Sequence, residues 1–208
     1  MYPVFLELRG LRVVVVGGGP VAAGKLDGLL VAGAKVTVIA PQITQAIRAR
    51  EEVELVERPF EPSDLDGARW VVAAAPPEVN REVARAAAER GLFVNAVDDT
   101  QAATAYLGGV VRRGPVEVAI STRGLAPALA GLLREAIDAV LPADLEKWID
   151  VAIAERKAWK QAGVPMAERR PLLLEALNKI YARASTTSRP RSRLLSALDR
   201  LYANGWSP

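Results

Sequence analysis

The chain has 208 residues, half of them hydrophobic and a quarter charged, which allows a substantial core and argues against general disorder. It contains no cysteine and no histidine, so disulfides, thiolate metal sites, cysteine nucleophiles and all imidazole chemistry are excluded. The net charge of +3 is uneven: residues 1–110 carry 11 Lys/Arg against 14 Asp/Glu, and residues 111–208 carry 16 against 10. A basic second half suits an acidic small molecule or partner surface. No aromatic residues interleave with the basic ones as a base-stacking surface requires, so no nucleic-acid partner is expected. Met1–Arg9 lacks the basic start and apolar core of a signal peptide. No segment approaches the ~20 apolar residues of a spanning helix. The expectation is a cytoplasmic protein without a membrane partner.

Leu11–Val16 is a β-branched run too short for a helix, the pattern of a strand buried on both faces. Glycines follow, then a helix over Val21–Val31 with Val21, Leu26, Leu29 and Leu30 on one stripe. Lys35–Ala40 reads as a strand, Gln42–Arg50 as a helix, Val53–Glu57 and Trp70–Ala75 as strands. Pro77–Arg90, with proline in its first turn and alanines through its body, reads as a helix, and Leu92–Asn95 as a fifth strand. This alternation predicts an α/β fold with a Rossmann-like parallel sheet. Beyond Asp99 the pattern changes to two strands, Tyr106–Val111 and Val116–Ser121, around Arg112–Pro115. In the second strand Val116, Val118 and Ile120 alternate with Glu117, Ala119 and Ser121, so one face is expected to be buried. Helices follow at Pro127–Leu141, Asp144–Ala162, Met166–Ala184 and Arg191–Ala203, with a linker at 185–190.

Gly17-Gly-Gly-Pro-Val-Ala22 stands where the first strand turns into a helix and fits the dinucleotide fingerprint G-x-G-x-x-A. Gly17 suits the tight turn, Gly19 lets a pyrophosphate approach the backbone, and Ala22 permits close helix–strand packing. The helix start then offers free N–H groups to the phosphates. The second strand ends Ala40-Pro41-Gln42, with no acid for a ribose 2′-hydroxyl and no arginine for a 2′-phosphate. These residues alone leave NAD and NADP open.

Several separated stretches resemble one family. They are Tyr2-Pro-Val-Phe-Leu-Glu-Leu-Arg-Gly-Leu-Arg-Val, Gly17-Gly-Gly-x-Val-Ala-x-x-Lys25, Ala32-Gly-Ala-Lys-Val-Thr-Val and Val79-Asn80. Phe93-Val-Asn-Ala-Val-Asp98-Asp99, Ser121-Thr122-x-Gly124-x-x-Pro127-Ala-Leu-Ala130 and Leu132-Leu-Arg-Glu follow in the same order. Together they are similar to precorrin-2 dehydrogenase, the N-terminal module of siroheme synthase. The resemblance implies NAD-dependent dehydrogenation of precorrin-2 to sirohydrochlorin; ferrous chelation occurs in some members. It implies a stand-alone form without the methyltransferase module. By the same resemblance Pro20, Val21, Pro41 and Gln42 join Gly17 and Gly19 as NAD contacts, and Asp98 is the functional acid. The chain departs from the family pattern at Ala75-Pro76-Pro77, where Thr or Asp is common, at Ala126 in place of Ser, and at Ala105 and Gly108 in place of Phe and Pro.

The implied organisation is an NAD-binding domain over 1–104, a dimerisation segment over 105–142, and a helical domain over 143–208 with a flexible tail after 184. Asp98-Asp99 ends the fifth strand, where a carboxylate borders the ligand crevice or caps a turn. Ser121, Thr122 and Gly124 offer hydroxyls and N–H groups to a substrate carboxylate or form an ordinary turn. Arg112 and Arg113 suit a solvated turn or the acidic side chains of a tetrapyrrole. No residue is assigned as a metal ligand. A homodimer is expected, because the half-apolar second strand of the pair and the helix after Pro127 have little cover within so short a chain. Two other readings stay open: an NAD(H)-sensing regulator on the same fold, and a sirohydrochlorin chelatase without dehydrogenase activity.

Overall fold

The computed structural model describes residues 1–97 and 99–182 together with Ser196 and Asp199. The linker at 185–190, the tail after 184 and, apart from those two residues, the helix expected over Arg191–Ala203 lie outside the described residues. The chain forms two compact units, Met1–Leu107 and Gly108–Pro208.

The first unit runs β1 (Arg12–Val16), α1 (Pro20–Val31), β2 (Lys35–Ile39), α2 (Gln45–Arg48), β3 (Val53–Val56), a 3-10 turn (Pro62–Leu65), β4 (Trp70–Ala73), α3 (Pro77–Glu89) and β5 (Val94–Ala96). The five strands are parallel in the order β3-β2-β1-β4-β5. The expected Rossmann-like sheet is therefore present. Its valine runs are explained by cover on both faces. Val13 and Val15 pack with Val36, Val38, Val72 and the α1 residues Ala22, Leu26 and Leu29. Val14 and Val16 point the other way, onto Val71, Ala73, Val83, Ala86 and Ala87. Successive strand residues alternate faces, so a sheet with helices on both sides needs apolar residues at every position.

The chain winds outward from β1 to β3, then crosses back so that β4 lies on the other side of β1. That reversal opens a crevice at the carboxyl ends of β1 and β4, where ligands of such sheets bind. Gly17, Ala74 and Ala75 are all at this end.

Local differences from the sequence reading have physical causes. Val21 is 48% exposed and lies off the buried stripe, which Ala22 takes. The helix expected over Gln42–Arg50 shrinks to α2, because Thr44 stays extended and donates its N–H to the Gly18 carbonyl (2.9 Å). β5 starts two residues late, since Leu92 N–H is bonded to the Ala87 carbonyl (2.9 Å) at the end of α3.

The second unit holds the antiparallel pair β6 (Gly109–Arg113) and β7 (Val116–Ile120), then α4 (Pro127–Val140), α5 (Leu145–Ala162) and α6 (Met166–Ala182). Arg112 and Arg113 belong to β6 rather than to the turn, which is only Gly114-Pro115. Arg112 is fixed opposite Glu117 (2.7 Å), and Arg113 pairs with Asp138 of α4. The apolar face of β7 is half-buried rather than buried: Val116, Val118 and Ile120 are all intermediate. Leu145, Trp148 and Leu177 form a small core between α5 and α6, where Trp148 Nε1–H donates to the Tyr181 hydroxyl (2.9 Å). Among the described residues no helix is long and apolar enough to cross a membrane.

Candidate functional site

The three glycines after β1 do different work. Gly17 has φ 129°, outside the range that L side chains favour, and its N–H continues the ladder to Ile39 O (2.9 Å). A Cβ on Gly17 would lie 2.6 Å from the Ala74 carbonyl carbon, and one on Gly18 2.9 Å from both the Gln42 carbonyl carbon and Ile43 Cα. These two residues let the turn press against the ends of β4 and β2. A Cβ on Gly19 would meet nothing within 4 Å. The open side of the turn is at Gly19.

Gly19 is also the N-cap of α1 and provides no side-chain cap; Pro20 follows at the first helical position, and no acid stands in the first turn. The donors at this helix start therefore keep their partial positive charge for an external anion. An open glycine above an uncapped helix start fits a dinucleotide pyrophosphate. Gly17, Gly19, Pro20, Val21, Pro41 and Gln42 are brought together here at the carboxyl ends of β1 and β2. Pro41 and Gln42 are exposed, in the turn whose backbone abuts Gly18.

Beside this turn lies a cavity of about 200 Å³ lined by Val21, Ala74, Ala75, Pro77, Asn80, Val97 and Asp99. It has room for a ring rather than a whole dinucleotide. Asn80 is 3% exposed; its Oδ1 accepts from Ala75 N–H (2.9 Å) and its Nδ2 donates to the Val97 carbonyl (3.4 Å). Sequence reasoning gave Asn80 no role, although an asparagine one turn inside a proline-initiated helix, on its apolar side, is the kind of residue that needs explaining. Asp99 Oδ1 accepts from the N–H groups of Gln101 (3.1 Å) and Ala102 (2.9 Å), so Asp99 caps a turn. Asp98 lies outside the described residues.

Next to the Pro41–Thr44 turn, Arg48 donates from Nε to the Ile43 carbonyl (3.1 Å) and from both terminal nitrogens to the Glu57 carboxylate. That hydrogen bonding holds the Glu57 carboxyl below its ordinary range.

Ser121, Thr122 and Gly124 belong to the second unit, between β7 and α4. Ser121 Oγ accepts from Arg123 N–H (3.1 Å) and Thr122 Oγ1 from Ala126 N–H (3.3 Å). Arg123 and Gly124 both take positive φ, 57° and 76°. This is a turn with hydroxyl caps. Among the described residues no group of three or more acidic side chains could hold a metal ion.

Comparison with known proteins agrees with this geometry. A family model described as "Putative NAD(P)-binding" matches residues 4–109. The siroheme synthase of Photorhabdus laumondii is 39% identical over 184 residues, 86% of this chain and 39% of that protein. The siroheme synthase of Zymomonas mobilis is 34% identical over the same length, again 86% of this chain and 39% of that protein. The chain thus spans about two fifths of the length of these curated relatives. Among solved structures, "SirC, precorrin-2 dehydrogenase" aligns with a TM-score of 0.66 and 25% identity, covering 84% of this chain and 88% of that one.

Proposed function

Because the chain belongs to the NAD(P)-binding family whose model spans residues 4–109, we propose that it is a cytoplasmic, NAD-dependent dehydrogenase that oxidises precorrin-2 to sirohydrochlorin on the way to siroheme. The observation that carries this reading is the likeness, over nearly the whole of both chains, to a structure titled as a precorrin-2 dehydrogenase. The open Gly19 above the uncapped start of α1 supports the cofactor half of the reading.

When bound, NAD supplies the hydride acceptor. Gly19, Pro20 and Val21 would hold its pyrophosphate, with Gly17 and Gly18 keeping the turn closed against β4 and β2. Pro41 and Gln42 hold the adenosine side. They provide no cation for a 2′-phosphate, and Arg48 is committed to Glu57 and Ile43, which favours NAD over NADP. The oxidation removes one hydride and one proton from the substrate. The chain has no histidine or cysteine to serve as base, and the resemblance to precorrin-2 dehydrogenases gives that role to the Asp98 carboxylate. Its neighbours Val97 and Asp99 both line the ring-sized cavity, and Asp99 is occupied as a cap. Ser121, Thr122 and Gly124 contact the acidic side chains of the tetrapyrrole, and residues 105–142 pair two copies of the chain.

Freshly prepared precorrin-2 mixed with the protein and NAD should be consumed with formation of NADH. NAD binding without turnover of any tetrapyrrole would establish a sensor instead. Iron insertion into sirohydrochlorin with no requirement for NAD would establish a chelatase. Light scattering should return twice the chain mass at micromolar concentration; a monomer there refutes the pairing.

A further inference from the structure

We propose that Asn80 is a positioning residue for the cofactor: its side-chain amide orients the Ala74–Ala75 peptide that walls the cavity and closes over Gly17. This inference rests on the nucleotide reading above and adds a residue that reading does not use.

The β1–β4 ladder ends with Ala74 N–H on the Val16 carbonyl (2.8 Å), and the β4–β5 ladder with Val97 N–H on the Ala73 carbonyl (2.9 Å). Ala75 N–H is the first donor past both. Pro76 and Pro77 follow and donate nothing, so the backbone has no further donor there before α3 begins. The partner of Ala75 N–H is Asn80 Oδ1, at 2.9 Å. The companion contact from Asn80 Nδ2 to Val97 is longer, 3.4 Å, and therefore weaker.

Ala75 N–H and the Ala74 carbonyl belong to one trans peptide plane, so fixing the N–H fixes the carbonyl on the opposite side. That carbonyl group is the one Gly17 must be a glycine to accommodate. Asn80 thus sets the peptide that packs on the phosphate turn and faces the cavity. No hydroxyl or carboxylate stands at Ala74–Pro77, so the polarity of this wall is the polarity of its backbone. A buried asparagine is costly unless partnered. Its strongest bond here serves the wall of a ligand cavity rather than a helix or strand ladder.

Two variants separate positioning from packing, read by NAD calorimetry, thermal melting and exchange of the Ala75 amide hydrogen. Asn80→Ala removes both contacts. NAD affinity should fall about 10-fold, or 1.4 kcal/mol, and the Ala75 amide should exchange faster. Asn80→Asp keeps an acceptor for Ala75 but turns an oxygen toward the Val97 carbonyl. It should melt lower than wild type yet keep a slow Ala75 amide and bind NAD within about three-fold of wild type, ~0.6 kcal/mol. Rescue of binding without rescue of stability is the signature of positioning. Affinity that falls equally in both variants, or in neither, overturns the proposal. If Asn80→Ala does not fold, an Ala75 amide in the wild type exchanging at the rate of an open loop also overturns it. A wild-type chain that binds no NAD refutes the nucleotide reading itself, a result distinct from bound wild type with unaffected variants.

Discussion

Gly19→Asp should move stability and cofactor affinity in opposite directions. Gly19 is the N-cap of α1, with φ −90° and ψ −175°, an extended conformation any residue adopts. A Cβ there meets nothing within 4 Å. Aspartate is a favoured N-cap, better than glycine by a few tenths of a kcal/mol, and its charge at the helix start adds about 0.3–1 kcal/mol. The folded variant should therefore melt at or slightly above the wild-type temperature. The same carboxylate would occupy the donors offered to a pyrophosphate and repel its charge. At ~4 Å a charge pair costs about 1 kcal/mol in water and about 4 kcal/mol at an effective dielectric of 20. An intermediate cost of about 2.7 kcal/mol corresponds to a ~100-fold loss of NAD affinity by calorimetry. Gly18→Ala is the contrast. Its Cβ would collide with the backbone of Gln42 and Ile43, so it should lower stability by about 1–3 kcal/mol and weaken NAD through displacement of the turn. Gly19→Asp binding NAD as wild type does, or melting well below it, would refute the assignment of Gly19 as the open side of the turn.

Other outcomes can be checked directly. Turnover with NAD should exceed that with NADP by about 10-fold, or 1.4 kcal/mol, because no cation stands at Ala40–Gln42; equal rates would contradict this. Asp98→Asn should retain NAD binding and lose turnover by about 10²–10⁴-fold, the usual contribution of a general base, with Asp99→Asn costing far less; near-wild-type turnover would remove the base from Asp98. Asp64 accepts Arg58 Nη1 (2.8 Å) and Nη2 (2.5 Å) and the Glu61 N–H (2.8 Å), and the Arg58 guanidinium holds its carboxyl below the ordinary aspartate range. A lowered folded-state value means the unfolded chain protonates first as pH falls. The pair's contribution is thus complete above about pH 3.9 and is lost as pH falls through the lowered value. The wild-type melting temperature should drop more steeply than that of Asp64→Asn over this window; parallel slopes would show that the pair is not responsible.

Much of the first unit is legible in the sequence because its signals are local. Val13–Val16 and Trp70–Ala73 are apolar at every position, which in so short a run means a strand covered on both faces, and the glycines after Val16 mark the turn into a helix. The prolines and alanines of Pro77–Glu89 are equally local signs of a helix and its start. The contacts that define the site are not local. Gly18 must be a glycine because the turn after β2 presses on it, and Gly17 because the carbonyl after β4 does. Both facts exist only once three strands lie in register. The shortening of α2 has the same origin: Thr44 gives its N–H to Gly18 instead of to a helix. Asn80 shows the limit most clearly. On a helix its neighbours in sequence say only that it faces the apolar side, whereas its partners sit on two strand ends. The sequence by itself determined the order and type of the elements, through periodicity and turn chemistry. Tertiary structure alone decided which backbones approach closely, and that approach makes a glycine turn into a site.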